Sequence, residues 1–538
     1  MVRDSQGNSA RNAIAIYIFA AVLLCALFGN CSSAVPKDRL PEPVIEDHPE
    51  LVDLYWKAWS LVHQTRKRGN NTNQFPRNYL NIDNGDVISQ WSTLSAALFT
   101  VYGYHVYPVM ESLDLFYDKQ RSDGFISRVY ITNSGSPLHL PTRQDPMINP
   151  PLFSWVELKY FYLSADTTRL RKVFPALEKY FLWLDSNCRT KNNIGDLYYS
   201  TPIGSGMINL PRGDIEFGGW TDLSAQMAMF ARHLAEIAQL LSFNSKAVYY
   251  QRKCLNISNA VQSNLWHPDS AFYYDINREG KPVKLQTIAG FWPLIAKIPD
   301  EQSAAGLIQH LKDSSDFRLP HMFPSVSVKE LEYNPKGFYW RGGVWGITNY
   351  MIIRGLMEYG EYSFANRAAW NHITNMSKVY SDFASDTLID PNGNISLPGK
   401  TIWKLYAPEE QEPGTRWDAY YQCEPDFIAF SGHGPISMLI ENILGFQVNA
   451  PADQLTWTIT RMDRHGIKHL TFGDNVVSIW ADRRIESQSL FTVHGETNSD
   501  VSVNFVLEPD TISLKFEPGP IEVTFLPDNF ILRDRFLP

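Results

Sequence analysis

Between residues 45 and 447, apolar residues recur at helical spacing in one segment after another, and that succession constrains the fold more than any other property of the chain. The segments are Leu51 to Lys67, Leu94 to Asp118, Leu152 to Leu163, Arg169 to Leu184, Asp222 to Ser242, Ser245 to Leu265, Thr287 to Ile298, Glu301 to Leu311, Gly346 to Tyr359, Tyr362 to Tyr380 and His433 to Leu444. Gly, Pro and Asn cluster between them, which marks the connections. No strand pattern intervenes, so helices must bury their apolar faces against other helices, an α/α arrangement. After Pro451 the texture changes. Trp457-Thr-Ile-Thr, Val476-Val-Ser-Ile-Trp-Ala, Val501-Ser-Val-Asn-Phe-Val, Ile512-Ser-Leu-Lys-Phe and Ile521-Glu-Val-Thr-Phe alternate or are β-branched. Gly466, Gly473, Gly495 and Pro518-Gly519-Pro520 punctuate them, and this reads as a small antiparallel β domain of about 85 residues. With no aromatic triad in view, that domain reads as a structural cap rather than a carbohydrate-binding module.

The N-terminus reads as an export signal. Arg3 and Arg11 flank the start of an apolar run from Ala13 to Leu27, and Cys31-Ser32-Ser33-Ala34 offers small residues for cleavage. The run is about 15 residues, short for a membrane span, with a retained signal anchor as the alternative. The expected organisation is therefore residues 1–34 as signal or anchor, 35–447 as the helical domain and 448–538 as the β domain. Sequons starting at Asn70, Asn256, Asn375 and Asn394 suit a secreted glycoprotein. Cys188, Cys254 and Cys423 follow the cleavage region; an odd count allows at most one internal disulfide, so packing and not covalent staples must hold the fold. A net charge of −9 without any basic run leaves no electrostatic footprint for nucleic acid. A membrane partner is expected only if the N-terminal helix is retained.

The loop Gly204-Ser205-Gly206-Met207-Ile208-Asn209-Leu210-Pro211-Arg212 resembles Ser-Gly-x-Asp-x-x-Pro-Arg, the acid loop of inverting α-glycosidases in the trehalase-like clan. Further segments resemble the same clan in order along the chain. Gln90-Trp91-Ser92-Thr93 resembles Gln-Trp-Asp-Thr, and Ile148 to Trp155 follows an Asp123-Gly-Phe-Ile126 turn. Tyr339-Trp340-Arg341-Gly342-Gly343-Val344-Trp345 is similar to Tyr-Trp-Arg-Gly-x-x-Trp, with Asn349 at the family spacing. Ile402-Trp403-Lys404-Leu405-Tyr406-Ala407-Pro408-Glu409 resembles Trp-Glu-Asn-Tyr-Ala-Pro-Glu, and Phe430 to Pro435 resembles Trp-Ser-Gly-x-x-Pro. The match is to the family 63-type, mannosylglycerate-hydrolase-like six-hairpin glycosidases. It implies a mainly α fold, an (α/α)6 barrel with the sugar pocket at one end, followed by the small β domain, and it implies no cofactor and no metal.

Inverting hydrolysis needs a carboxylic acid to protonate the leaving oxygen and a carboxylate roughly 6.5–9.5 Å away to activate water. The resemblance places the acid at Ile208 and the base at Lys404. Isoleucine has no proton to give, and an ammonium has no lone pair free. A third acidic position, which holds a sugar hydroxyl in the family, falls on Ser92. Asp214 and Glu409 are the nearest substitutes, two residues beyond Arg212 and just past the Lys404 segment, although the Pro-Arg-Gly turn between argues against a slip. Trp91, Ser92, Asn209, Arg212, Trp340, Arg341, Trp345, Trp403 and Tyr406 fall on sugar-contact positions. Arginine forks and indole faces suit hydroxyls, carboxylates and ring faces. Asp222 reads as a barrel carboxylate paired with Arg341, and His321 and His433 as polar pocket or loop residues. The expectation is a glycosidase-like scaffold without its acid and base, binding a carbohydrate or a small sugar acid. The alternative is an active inverting α-glycosidase with relocated carboxylates.

Overall fold

A computed structural model describes residues 34–538 apart from 84, 143, 191–194, 384–387, 390–394, 397–399, 419–420, 487–488, 508–509, 527–530 and 533–538. The apolar run at 13–27 and the sequon at Asn394 lie outside the described residues. Residues 38–538 form one compact unit; of the other, residues 1–37, only 34–37 are described.

Among the described residues, twelve helices follow one another before the β region: α1 (Pro49–Gln64), α2 (Gln90–Thr100), α3 (Val109–Asp118), α4 (Phe153–Ser164), α5 (Thr167–Asn187), α6 (Thr221–Leu240), α7 (Asn244–Leu265), α8 (Trp292–Ile295), α9 (Glu301–Lys312), α10 (Gly346–Glu358), α11 (Tyr362–Asp382) and the wide, π-type α12 (Gly434–Ile443). Burial alternates along this series. Every residue of α2, α8 and α12 is buried, as is nearly all of α6 and α10, whereas α5, α7, α9 and α11 bury one face only. A helix apolar all round belongs inside, and one with an apolar stripe belongs on the outside. The expected Leu94–Asp118 helix is two. The first gives way to a 3-10 turn at Val101–Gly103, and the second starts only after Pro108, whose ring denies the backbone a donor.

The loops are not strand-free, as the sequence suggests. Two-residue ladders such as Arg66–Lys67 with Tyr79–Leu80, and the ladder of Val87–Ser89 with Val129–Ile131, pin the connections. The β region holds more strands than the sequence announces: β2 (Phe446–Asn449), β3 (Gln454–Thr458), β4 (His465–Phe472), β5 (Asn475–Ala481), β6 (Phe491–Thr497), β7 (Val501–Leu507), β8 (Asp510–Phe516), β9 (Gly519–Phe525) and β10 (Ile531–Leu532), with β1 (Glu42–Ile45) arriving from the N-terminal side. One sheet runs β1-β4-β5-β6-β9-β10 and is antiparallel; the other runs β2-β3-β7-β8. In the second, β3 pairs parallel to β7, with Gln454 opposite Ser502, so the expectation of an antiparallel domain holds except at this seam. Strand β1 pairs Glu42 with Lys468 and Ile45 with His465, so the expected boundary near 447 divides the chain less cleanly than its texture implies. Cys188, Cys254 and Cys423 are free thiols.

Candidate functional site

The segments entering α2, α6, α10 and α12 meet at one end of the buried helices. In the 204–212 loop, Gly206 takes φ +77°, and a Cβ there would stand 2.8 Å from Trp91 Nε1, so the loop closes onto α2 only because this residue is glycine. Asn209 then ties the loop to the next motif: its Nδ2 donates to the Phe338 carbonyl at 3.1 Å, and its Oδ1 accepts from the Trp340 backbone at 2.8 Å. Ile208, beside it, is half-buried. Val344 pairs with Tyr406, which brings the Lys404 segment alongside, and the Ser431 hydroxyl donates to the carbonyls of Trp403 and Lys404 at 2.5 and 3.1 Å. Five of the motifs, spread along the chain from Gln90 to Pro435, are therefore one contact network.

Lys404 lies deep in this network. Its ammonium is 3.2 Å from Glu424 Oε1 and stands over the rings of Phe427 at 4.5 Å and Tyr339 at 5.3 Å. Burial pulls its pKa down, but Tyr339 and Glu424 pull harder and the net shift is upward, so the side chain is a cation. The other Glu424 oxygen, Oε2, is buried and has no hydrogen-bond partner. Ser92 is not left alone either. The Asp83 carboxylate accepts from the Ser89 backbone at 2.7 Å, is hydrogen-bonded by the Ser92 side chain and feels the Lys404 charge. Desolvation nevertheless raises the Asp83 pKa above the usual carboxylate value, against Ser92, Ser89 and Lys404. Neither Asp83 nor Glu424 stands out in the sequence. Both become visible only when the fold sets them beside Ser92 and Lys404.

Several expected sugar contacts are committed elsewhere. Arg212 is 6% exposed; its guanidinium lies 4.4 Å from the Trp220 ring, with Nη1 on Asp275 Oδ2 at 2.7 Å and Nη2 on Asp222 Oδ2. Asp222 therefore pairs with Arg212 and not with Arg341, as the sequence suggests, because it opens α6 directly behind the loop. Arg341 is exposed and donates from Nε to the Asn209 carbonyl at 3.4 Å. Trp340 and Trp345 stack on each other at 4.1 Å and 4° and, like Trp403 and Tyr406, are buried. They shape the floor of the site through packing. Trp91 is also buried, 5.6 Å from the Phe430 ring, and its Nε1 has no partner. His321 and His433 are buried too, His321 on His372 at 2.8 Å and His433 on Ser95 at 3.1 Å.

The substitutes expected from sequence lie on the surface. Asp214 is exposed, and Glu409 is exposed and accepts from the Tyr333 hydroxyl at 2.7 Å. The loop leading to Glu424 instead presents two aromatic faces: Trp417 is 47% and Tyr421 57% exposed, on a turn braced by the Arg416–Asp418 ion pair at 2.8 Å and by the Arg416 backbone bond to Tyr421. Large exposed rings beside a polar recess suit the apolar face of a sugar.

A buried-helix scaffold carrying these loops at one end is that of a glycoside hydrolase. Residues 91–387 match the mannosylglycerate hydrolase MGH1-like glycoside hydrolase domain, and the chain belongs to that family. An uncharacterized protein of Borreliella burgdorferi is 25% identical over 462 residues, spanning 82% of this chain and 91% of its own. A mannosylglycerate hydrolase of Thermus thermophilus is 34% identical over 104 residues, 19% of this chain and 25% of its own. In structure, a family 63 mannosylglycerate hydrolase from another strain of Thermus thermophilus, in complex with glucose, superposes with a TM-score of 0.54 at 18% identity, covering 72% of this chain and 99% of that one. The same enzyme has been solved with Tris and D-glycerate.

Proposed function

We propose that this protein is a secreted glycoside-hydrolase relative that binds a carbohydrate or a small sugar acid and does not hydrolyse it. The single observation that carries this reading is the Lys404–Glu424 ion pair at 3.2 Å. The position that matches the family base holds a cation already locked to a carboxylate, while the position that matches the acid is Ile208. General acid and general base catalysis each contribute typically about 10²–10⁴-fold, so loss of both removes most of the rate. With Ile208, Ser92 and Lys404 at the three acidic positions of the family pattern, and with Arg341 and Arg416 close by, the site is less negative than three carboxylates would make it, which favours an anionic sugar. The alternation of helices buried nearly all round with helices that bury one face supports an (α/α)6 barrel as the scaffold, and the β region acts as its cap. The Ala13–Leu27 run and exposed Asn70 and Asn256 are what favour a secretory route with N-glycans.

The test is calorimetric titration of mannosylglycerate and glycerate, beside turnover assays on mannosylglycerate and aryl α-glycosides. Binding without turnover is the expected result; turnover above background overturns the reading. A second reading, hydrolysis by relocated carboxylates, has one observation in its favour: Asp83 and Glu424 both neighbour Lys404. Turnover abolished by Asp83→Asn or Glu424→Gln would establish it.

A further inference from the structure

A second cavity lies at the opposite ends of the buried helices. It has a volume of about 510 Å³ and is lined by α4 and α10, by the C-terminal half of α6, by α12 and by β2. Of its lining residues only Trp155, the last of the Ile148–Trp155 segment, belongs to a family-like motif. Volumes of roughly 300–1,000 Å³ hold small ligands.

Its electrostatics are unbalanced in a specific place. Lys159, Arg232 and Arg354 line it with Lys297 at the rim, facing Glu236, Glu358 and Glu441. Glu441 is saturated: it receives Lys159 Nζ at 2.5 Å, Arg354 Nη1 at 3.3 Å and the Tyr350 hydroxyl at 3.0 Å. Glu358 pairs with Lys297 at 3.0 Å, and Glu236 accepts the Tyr162 hydroxyl at 2.7 Å. Arg232 is left over. Its Nη2 donates to the Ile295 carbonyl at 3.0 Å, and among the described residues no carboxylate pairs with it. His233 beside it is buried and hydrogen-bonded to Ser154 at 3.1 Å, so it adds no competing charge. Trp155 stacks one face on Tyr350 at 5.8 Å and 11° and is itself half-buried on the cavity wall. A guanidinium with spare donors and an indole face lining one cavity can together recognise an oxyanion on a ring.

We propose that this cavity is a second ligand site, taking a sugar that carries an oxyanion, with Arg232 on the carboxylate or phosphate and Trp155 against the ring. This site is independent of the function proposed for the other end of the helices.

Calorimetric titration of the full chain with D-glucuronate, glucose 6-phosphate and glucose tests it. One charged sugar is expected to bind, with the arms separating carboxylate from phosphate, and glucose about tenfold weaker or worse. Arg232→Gln is expected to weaken binding about tenfold and Arg232→Lys less. Failure of both charged sugars to bind overturns the proposal, as does full affinity in a folded Arg232→Gln. If Arg232→Gln does not fold, a crystal soaked with the bound sugar decides: density against Arg232 supports the proposal, and density only elsewhere overturns it.

Discussion

Arg212 is the residue on which sequence resemblance and structure disagree most usefully, and Arg212→Met tests which is right. In the folded protein its guanidinium is buried between Asp222 and Asp275 and lies 4.4 Å from the Trp220 ring. Removing one member of such a buried cluster leaves uncompensated charge and costs about 3–5 kcal/mol. The lost ring contact adds about 0.5–2 kcal/mol, offset in part by the apolar packing of methionine. A net loss of about 4 kcal/mol is reasonable. Unfolding entropy of about 2 cal/mol/K per residue gives about 1 kcal/mol/K for a unit of about 500 residues, so the melting temperature should fall by about 4 °C.

The pH dependence sharpens this. Burial already raises the Asp222 pKa, with Arg212 opposing it. Without the arginine, Asp222 in the folded protein holds its proton more tightly than in the unfolded chain, where aspartates titrate near 3.9. Relative to the parent, the variant therefore regains stability as pH falls, by about 1.4 kcal/mol per unit for each proton taken up, until the unfolded aspartates also protonate. Differential scanning calorimetry at about pH 7.5 and about pH 5 reads both effects, and sugar-acid titration of the same variant reads the site. A variant that melts like the parent yet loses its ligand would refute the structural role and return Arg212 to the sugar.

Three further outcomes are expected. Restoring the family pair with Ile208→Asp and Lys404→Glu places a new carboxylate where Lys404 now meets Glu424, so the double variant should be less stable than the parent. Adding Glu424→Gln should recover that loss, and of the two only the triple variant is expected to turn over mannosylglycerate, checked by product release and thermal shift. Trp417→Ala should weaken carbohydrate binding about two- to tenfold with an unchanged melting temperature, since the ring is 47% exposed and its stacking is worth about 0.5–1.5 kcal/mol. Acid should destabilise the fold early. His233, His321, His372, His433 and His465 are held neutral by burial, His372 down at about 3 and His465 at about 4. Their folded pKa values lie below the unfolded value near 6.5, so the stability they carry is complete above about pH 7. It is lost as pH falls through that value, at up to about 1.4 kcal/mol per unit for each histidine. A melting temperature that holds or rises between about pH 7 and about pH 5.5 would contradict this.

How far the chain could be read in advance follows from the range of each signal. Helices α6, α7 and α10 were legible because their periodicity is local, and Pro108 was legible too but was overridden by continuous hydrophobicity on both sides. Strands β4 and β6 were not, since Gly466 and Gly495 and the polar faces of His465, His469 and His494 blur the alternation, and what makes them strands is pairing with β5 on their flank. The pairing of β1 with β4 spans the whole chain and leaves no local trace. The site divides the same way. Motif spacing located Ser92, Ile208 and Lys404, because a motif is a record of which backbone segments must meet. It could not say where Arg212 points, nor that Asp83 and Glu424 would neighbour the substituted positions, because charge pairing belongs to the folded surface and not to the string. That distinction bears on chemistry. Three substitutions read along the chain remove three carboxylates, yet the folded site holds two others, one hydrogen-bonded through Ser92 and one paired with Lys404. Both lie around the Ser92 and Lys404 side, while the loop of Ile208 is tied off by Asn209 to Phe338 and Trp340. On the reading proposed above, carboxylates on the side of the base and a hydrocarbon on the side of the acid would hold a polar ligand without supplying a proton to the oxygen that must leave, which is why turnover by the parent protein is the result that overturns it.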